Sequence, residues 1–333
     1  MGRLRTDTKL FCYLTKYSWQ ADCISKLMTS GPLTVRGVRI TNPDKVLFPK
    51  EGITKLDLVR YYEAMAPTIL KYVRHRPLTL RPFMSGVEGR GIYLKNAPQG
   101  APSWLRTFAD VAESTGETVN FVVAEDAKTL IWVAQYNSIE LHAWLSTVDH
   151  SDLPDWAVVD LDPPDEVPPA KRRKVAAKIA FLVRDQLQTY GLRSFAKPTG
   201  QTGVHVLVPL APIHPYDDVR AFFERLGEEL CHAHPDLVTT DYEVAGRHGR
   251  ILIDYAQNAR GKTTVAPYSV RPKPGAPVAC PMTWEELEAW AGSKQQPTLR
   301  DVPRRIEQRG DPLAPALKLK QRLPKQKAAA KAA

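Results

Sequence analysis

The 333-residue chain is 43% hydrophobic and 25% charged, which excludes general disorder and leaves room for one large domain or two modest ones. Its formal charge of +10 sits at the ends: residues 1–30 carry five basic and two acidic groups, residues 303–333 carry nine and two, and residues 31–302 balance. No apolar run is long enough for a membrane span, the first thirty residues lack the apolar core of a secretory signal, and the scattered Cys12, Cys23, Cys231 and Cys280 fit a reducing cytosol rather than a cysteine zinc site.

In chain order, residues 1–30 show no clean period and read as an N-terminal extension. From Val35 the chain is strand-like, then turns at Thr41-Asn-Pro-Asp44. Thr54 and Asp57 have the spacing of a capping box, and Leu58, Tyr61, Tyr62, Met65 and Ile69 follow at helical intervals. Residues 78–95 read as strand, turn and strand. A second strand pair is expected at 118–123 and 129–133, followed by a helical stretch at 134–145. A long helix is expected from Pro169 to Tyr190, stopped by Gly191. Its early Lys171-Arg-Arg-Lys174 cluster reads as a solvated face. A glycine hairpin spans Phe195 to Leu210, a helix covers about 216–232, a strand 250–255 and a helix 283–291. His232 and His234 fit a helix end better than a metal pair. From about Lys318 a Lys/Gln/Ala/Pro segment reads as a basic flexible tail. The irregular alternation of helices with hairpins predicts an α+β fold, with mixed or antiparallel sheets flanked by helices.

Three segments carry chemistry. Trp156-Ala-Val-Val-Asp160-Leu-Asp162-Pro-Pro is an apolar, β-branched run that closes on two aspartates. Alternation along a strand puts both carboxylates on one face, where mutual repulsion calls for a cation between them. Oxygen donors suit Mg²⁺ or Mn²⁺; the alternative is a strand end with two solvated aspartates. Arg250-Ile-Leu-Ile-Asp254 ends likewise on an aspartate, and three strand-borne carboxylates can hold two metals for phosphoryl transfer. Between them, Thr199-Gly-Gln-Thr-Gly-Val-His205 is a glycine loop whose backbone amides can face a ligand, or a plain hairpin turn. After Asp254, the density of Gln257, Asn258, Arg260, Lys262, Thr263, Thr264 and Arg271 suits a triphosphate.

Together with Thr41-Asn-Pro-Asp-Lys-Val46, Arg76-Pro-Leu-Thr79, Trp132-Val-Ala-Gln135, Asp254-Tyr-Ala-Gln-Asn258 and Lys262-Thr-Thr-Val-Ala-Pro-Tyr-Ser269, the set resembles the polymerase domain of bacterial ligase D. That domain belongs to the archaeo-eukaryotic primase superfamily and serves non-homologous end joining. The resemblance runs from about Val35 to Leu317, so residues 31–317 are expected to form a primase-like catalytic domain, flanked by the extension (1–30) and the tail (318–333). It implies a template-dependent nucleotidyltransferase that fills gaps and extends 3′ ends at DNA breaks, with two Mn²⁺ or Mg²⁺ ions and a preference for ribonucleotides. By the same resemblance, Asp160, Asp162 and Asp254 are catalytic metal ligands. Thr199, Gly200, His205, Lys262 and Arg271 bind the triphosphate, and Arg81, His142 and the stacking residue Tyr93 meet the incoming nucleotide. Asn42, Lys45 and Lys55 grip a DNA 5′-phosphate, and Arg247 lies in a loop that arranges the primer end. Implied partners are 5′-phosphorylated DNA breaks, nucleoside triphosphates, a Ku-type end-binding protein and a ligase, in a cytoplasmic, nucleoid-associated setting with no membrane.

The family hairpin usually reads Ser-Gly-x-Lys-Gly-x-His; here Thr199 and Thr202 stand for the serine and the lysine, which removes one cation. Two alternatives remain beside the polymerase: a primase that starts chains without a primer, and an end-binding module with weakened catalysis.

Overall fold

The computed structural model describes residues 32–111, 116–293 and 295–324. The whole expected extension (1–30) and the last nine residues of the expected tail lie outside them. The chain divides into two compact units at Thr41/Asn42. In the first, Thr34–Val35 pairs with Val38–Arg39 around Arg36-Gly37, both with positive φ (44° and 79°), as a two-residue hairpin turn requires.

The second unit holds every candidate site residue. Its first helix, α1 (Lys55–Val73), starts at the expected capping box: Thr54 accepts from the Asp57 amide, and the Asp57 carboxylate accepts from the Thr54 amide at 2.8 Å. Two antiparallel sheets follow. The larger is built from β1 (Pro77–Pro82), β2 (Thr107–Val111), β3 (Thr118–Val123), β4 (Ser138–Trp144) and a late strand Thr263–Val265, in the order late strand, β4, β1, β3, β2. Helix α2 (Ala127–Gln135) precedes β4. The expected strand at 129–133 and helix at 134–145 are therefore exchanged. Asp126 caps α2 by accepting from the Thr129 amide at 2.9 Å, and Asn137, at φ 61°, turns the chain into β4. Every residue of β4 is buried, although Ser138, Glu140 and His142 alternate with Ile139, Leu141 and Ala143 as they would in a half-exposed strand. Of the strand, turn and strand expected over 78–95, β1 and the turns at Gly86 and Gly89 form, but the return arm is not a full strand and touches β1 only through reciprocal Leu80–Leu94 amide bonds of 2.9 Å.

The smaller sheet contains β5 (Trp156–Leu161), β6 (Phe195–Pro198) and β7 (Val204–Pro209), in the order β6-β7-β5. The long helix α3 (Pro169–Thr189), α4 (Tyr216–Ala233) and α5 (Trp284–Gly292) fall where the sequence places them. Residues Ala157, Val159, Leu161, Ala196, Val204, Val206 and Val208 join the core made with these helices. Strand alternation then turns Val158, Asp160, Lys197, His205 and Leu207 to the opposite face. The expected strand at 250–255 is shorter: Ile251–Leu252 pairs with Val238–Thr239, and Asp254 makes a single bridge to Asp160. Helix α6 (Val302–Arg309) has no counterpart among the elements expected from sequence; it is only eight residues long, with Val302 and Ile306 spaced by one turn among charged residues.

The chain also stays attached beyond Lys318. The Gln321 carbonyl accepts from the Ala211 amide at 2.7 Å, and its side chain bonds Arg193 and Pro209. Residues 319–324 are thus anchored rather than free, because one amide side chain satisfies the backbone of two loops at once.

Candidate active site

The site is assembled on the face of the smaller sheet that the helices do not cover. Asp160 is next to last in β5, directly opposite His205 on β7, which in turn stands opposite Lys197 on β6. On the other edge of β5, Asp160 and Asp254 exchange backbone hydrogen bonds of 3.1 and 3.2 Å. The hairpin is therefore not interposed between the two aspartate-bearing segments; β5 lies in the middle. Asp162 follows the strand end and reaches over Gly203, where a side-chain methyl would have no room: an ideal Cβ there falls 2.0 Å from Asp162 Oδ1.

The electrostatics are those of crowded carboxylates beside buried cations. Burial and then Asp160 push the Asp162 carboxyl up to about 7, with Asp254 adding to the effect. Burial would raise Asp160 too, but His205, Lys197 and Arg271 outweigh it and hold it below the usual range. His205 Nε2 stands 3.4 Å from Asp160 Oδ1. Burial lowers the His205 imidazole, and Lys197 lowers it further, while Asp160 opposes them. Lys197 is fully enclosed, donates to the Val265 carbonyl, and is brought down to about 7 by burial, against the pull of Asp160. Asp254 accepts from the Tyr242 hydroxyl at 3.0 Å and from the Gln257 amide at 3.0 Å.

A cleft of about 500 Å³ opens onto these groups, lined by Asp160, Asp162, His205, Thr199, Gln201, His142, Gln257, Arg271 and the 263–265 strand. The hairpin loop is shaped by Gly200, at φ 80°, which has Arg271 Cγ 2.7 Å from an ideal Cβ. The Thr199 amide donates to the Gly203 carbonyl at 3.0 Å, and Arg271 donates to the Thr199 carbonyl at 3.0 Å. The larger sheet contributes β1 and β4. Arg81 lies over the rings of Tyr93 (4.6 Å) and Phe83 (5.1 Å), and Tyr93 packs edge-on to His142 at 5.5 Å. Tyr93 is 55% exposed, so its ring is open to a ligand. Asp254, Arg81, Tyr93 and Gly200 stand beside the cleft rather than in its lining, and Lys262 is exposed in the turn before Thr263 and does not line it either.

A second locus forms where the sequence places a 5′-phosphate pocket. The Lys45 amide donates to the Asn42 carbonyl at 3.1 Å, and the Lys55 amide to the Lys45 carbonyl at 2.8 Å. Asn42 is left-handed at φ 48°. Burial first, and Lys45 second, lower the Lys55 ammonium. The Lys45 ammonium donates to the Met84 carbonyl. Arg247 is folded back on its own loop, donating to the carbonyls of Asp241 (3.2 Å) and Tyr242 (2.7 Å); through Tyr242 that loop reaches Asp254.

Three participants escape the sequence reading: Lys197, Tyr242, and Glu140 as more than a neighbour of His142. Lys197 leaves a trace, since it occupies an alternate position of Phe-Ala-Lys-Pro beside the glycine loop. Tyr242 leaves none.

The family model described as LigD, primase-polymerase domain, matches residues 54–313. The chain belongs to this family. It is 33% identical over 273 residues to the multifunctional non-homologous end joining protein LigD of Pseudomonas aeruginosa, covering 82% of this chain and 32% of that protein. It is 30% identical over 253 residues to the bifunctional LigD of Bacillus subtilis, covering 76% of this chain and 40% of that protein. The chain thus spans about a third of the length of these relatives. Among solved structures, the polymerase domain of Mycobacterium tuberculosis ligase D in complex with DNA aligns with TM-score 0.76 and 31% identity, over 84% of this chain and 98% of that one. The fold is accordingly that of a LigD primase-polymerase domain, a nucleotidyltransferase. Among the described residues no helix is long and apolar enough to cross a membrane.

The donor set fits divalent cations. Asp160, Asp162 and Asp254 offer only hard oxygen, and the raised Asp162 carboxyl marks charge that a cation would relieve. Among the described residues no cluster of three or more His, Cys, Asp or Glu side chains is already closed around a metal-sized space, so the fit rests on donor chemistry.

Proposed function

We propose that this primase-polymerase domain extends and fills 3′ ends at DNA breaks, using nucleoside triphosphates and divalent cations, in non-homologous end joining. The observation that carries the reading is the row Asp254–Asp160–His205–Lys197 across one sheet face, opening on a cleft with Arg271 and the Thr199 loop.

Two Mg²⁺ or Mn²⁺ ions held by Asp160, Asp162 and Asp254 would supply charge stabilisation at the attacking 3′-oxygen and the departing pyrophosphate. The chain's own residues do the rest. Arg271, His205 and the Thr199–Gly203 loop bind the triphosphate, so that charge developing on the leaving group meets preorganised donors. His205 first, then Lys197 and Arg271, keep Asp160 ionised and ready to ligate. Tyr93 and Arg81 offer a stacking surface for the base, which tolerates any sequence. Lys45, Lys55 and Asn42 hold the downstream 5′-phosphate and set the gap. The Arg247 loop, linked to Asp254 by Tyr242, aligns the primer end. The relatives are named non-homologous end joining proteins; a Ku-type end-binding protein and a ligase as partners, and ribonucleotide preference, belong to the same proposal.

The test is extension of a labelled primer on a gapped duplex with a downstream 5′-phosphate, in Mg²⁺ or Mn²⁺, with ribo- or deoxynucleotides. Asp160→Ala/Asp162→Ala should abolish extension while leaving the fold and the 5′-phosphate-dependent DNA binding intact. Residual extension by this variant would refute the mechanism, and binding without extension in the parent chain would leave an end-binding module.

A further inference from the structure

Glu140 is the most completely buried carboxylate near the cleft, with a fully inaccessible side chain in the middle of β4. A lone charge there would be expensive, and its cost is met by three partners. Arg81, its cross-strand neighbour on β1, donates from Nη1 to Oε2 at 2.9 Å. His142, two residues along the same strand face, has Nε2 3.2 Å from the same oxygen. Arg271 brings Nε to 2.7 Å from Oε1. Burial alone would raise this carboxyl, yet the His142 hydrogen bond and Arg271, with Arg81, bring it down to about 2, so it stays charged.

The three partners all belong to the candidate nucleotide site: His142 and Arg271 line the cleft, and Arg81 stands beside it. Arg81 carries the Tyr93 stack, His142 packs against Tyr93, and Arg271 extends from Glu140 to the Thr199 carbonyl. One carboxylate thereby links the base end of the cleft, on the larger sheet, to the glycine hairpin of the smaller one. We propose that Glu140 is the positioning residue of the nucleotide site, holding Arg81, His142 and Arg271 in binding geometry before substrate arrives. The inference rests on the nucleotide-binding reading of the cleft. Without the carboxylate, two guanidinium groups near each other would splay apart, and each would lose orientation that substrate binding must then restore.

Glu140→Gln is nearly isosteric and tests the idea against a merely structural ion pair. The probe is a fluorescent ribonucleoside triphosphate titrated into the parent chain and the variant, with thermal melting and 5′-phosphate DNA binding measured in parallel. We expect nucleotide dissociation constant and KM to rise about tenfold or more, the range for hydrogen bonds to charged groups. kcat at saturation should stay within about threefold, and DNA binding should be unchanged. NMR titration should show the His142 midpoint moving down, because Glu140 favours its protonated form. Glu140→Asp, which keeps the charge on a shorter arm, should recover part of the affinity, and it serves as the test should the glutamine variant fail to fold. Parental nucleotide affinity in a folded Gln variant, or in a folded Asp variant whose His142 midpoint has moved, overturns the proposal alone. If the parent chain itself binds no nucleotide, the reading of the cleft fails, and the role of Glu140 with it.

Discussion

Gly203 gives a sharp test of how the site is held together. Its φ is not in the left-handed region, so strain is not the issue; space is. An ideal Cβ at this position lies 2.0 Å from Asp162 Oδ1 and 3.0 Å from the Leu161 carbonyl oxygen. The Leu161 carbonyl is fixed in the β5–β7 ladder, where Leu161 is paired with Val204, and it cannot give way. Asp162, past the strand end and exposed, is the group that must move. Restoring an ordinary contact takes a displacement of about 1 Å or more, and misplacement on that scale costs a reaction about 10²-fold. Gly203→Ala should thus lower kcat for primer extension by about two orders of magnitude. The melting temperature should fall as well, because the methyl stays tight against the fixed Leu161 carbonyl, so kcat is read at a temperature where the variant is fully folded. The assay is single-nucleotide insertion on gapped duplex at saturating Mn²⁺, beside a thermal melt. Parental kcat in the alanine variant would refute the reasoning, as would a variant structure with Asp162 unmoved.

Asp162 and Lys197, whose ionisation is shifted most toward neutrality, set further expectations for pH dependence. The Asp162 carboxyl, near 7 when folded, lies above an ordinary aspartate, so the metal-free folded state keeps a proton that the unfolded chain releases. Its contribution to stability is complete below the unfolded value near pH 4 and is lost as pH rises through 7. Asp162→Asn should stabilise the metal-free protein at pH 8 relative to pH 5, and Mn²⁺ affinity in the parent should fall about tenfold per pH unit below 7; calorimetry in buffers of different ionisation enthalpy reads the released proton, and affinity constant between pH 6 and 8 would contradict this. Lys197, near 7 when folded, has the opposite sign: the unfolded chain binds its proton more tightly, so stability rises between pH 7 and about 10. Lys197→Met should flatten that rise in thermal melts while cutting extension at least about tenfold, the effect of one lost charge contact at a reacting centre; an unchanged pH–stability profile would mean that the lysine is not desolvated as the structure shows.

The chemistry of the smaller sheet was legible because it is written in local patterns. Asp160 and Asp162 close a β-branched run, the glycine loop interrupts two short apolar strands, and each pattern is contained in fewer than ten residues. The larger sheet was not. β4 carries a short alternation of Ile139, Leu141 and Ala143 with Glu140 and His142 but is buried on both faces, and the preceding α2, with nine residues, is too short to show a helical period that would mark the boundary between them. Glu140 and Lys197 look like ordinary charged residues until strand pairing sets them beside Arg81 and Asp160. Their roles exist only in contacts across 59 and 37 positions of sequence (Arg81–Glu140 and Asp160–Lys197), which no local spacing encodes.

Thr202 poses the remaining question, since the family hairpin commonly carries a lysine there. The structure suggests why the site tolerates the loss. Arg271 and Lys197 already lie close enough to influence Asp160, and both are largely or wholly enclosed, where each charge acts through a lower dielectric than a half-exposed loop residue would. A lysine restored at 202 would act from the half-buried hairpin tip, where a contact of about 4 Å with a phosphate is worth about 1 kcal/mol in a water-like dielectric. Thr202→Lys should therefore tighten triphosphate binding only about fivefold, and the gain should shrink as salt is raised. A fluorescent nucleotide titration at two ionic strengths separates the outcomes. A gain of two orders of magnitude would mean that the enclosed cations do not face the triphosphate, and no gain at either salt would place the triphosphate away from the hairpin.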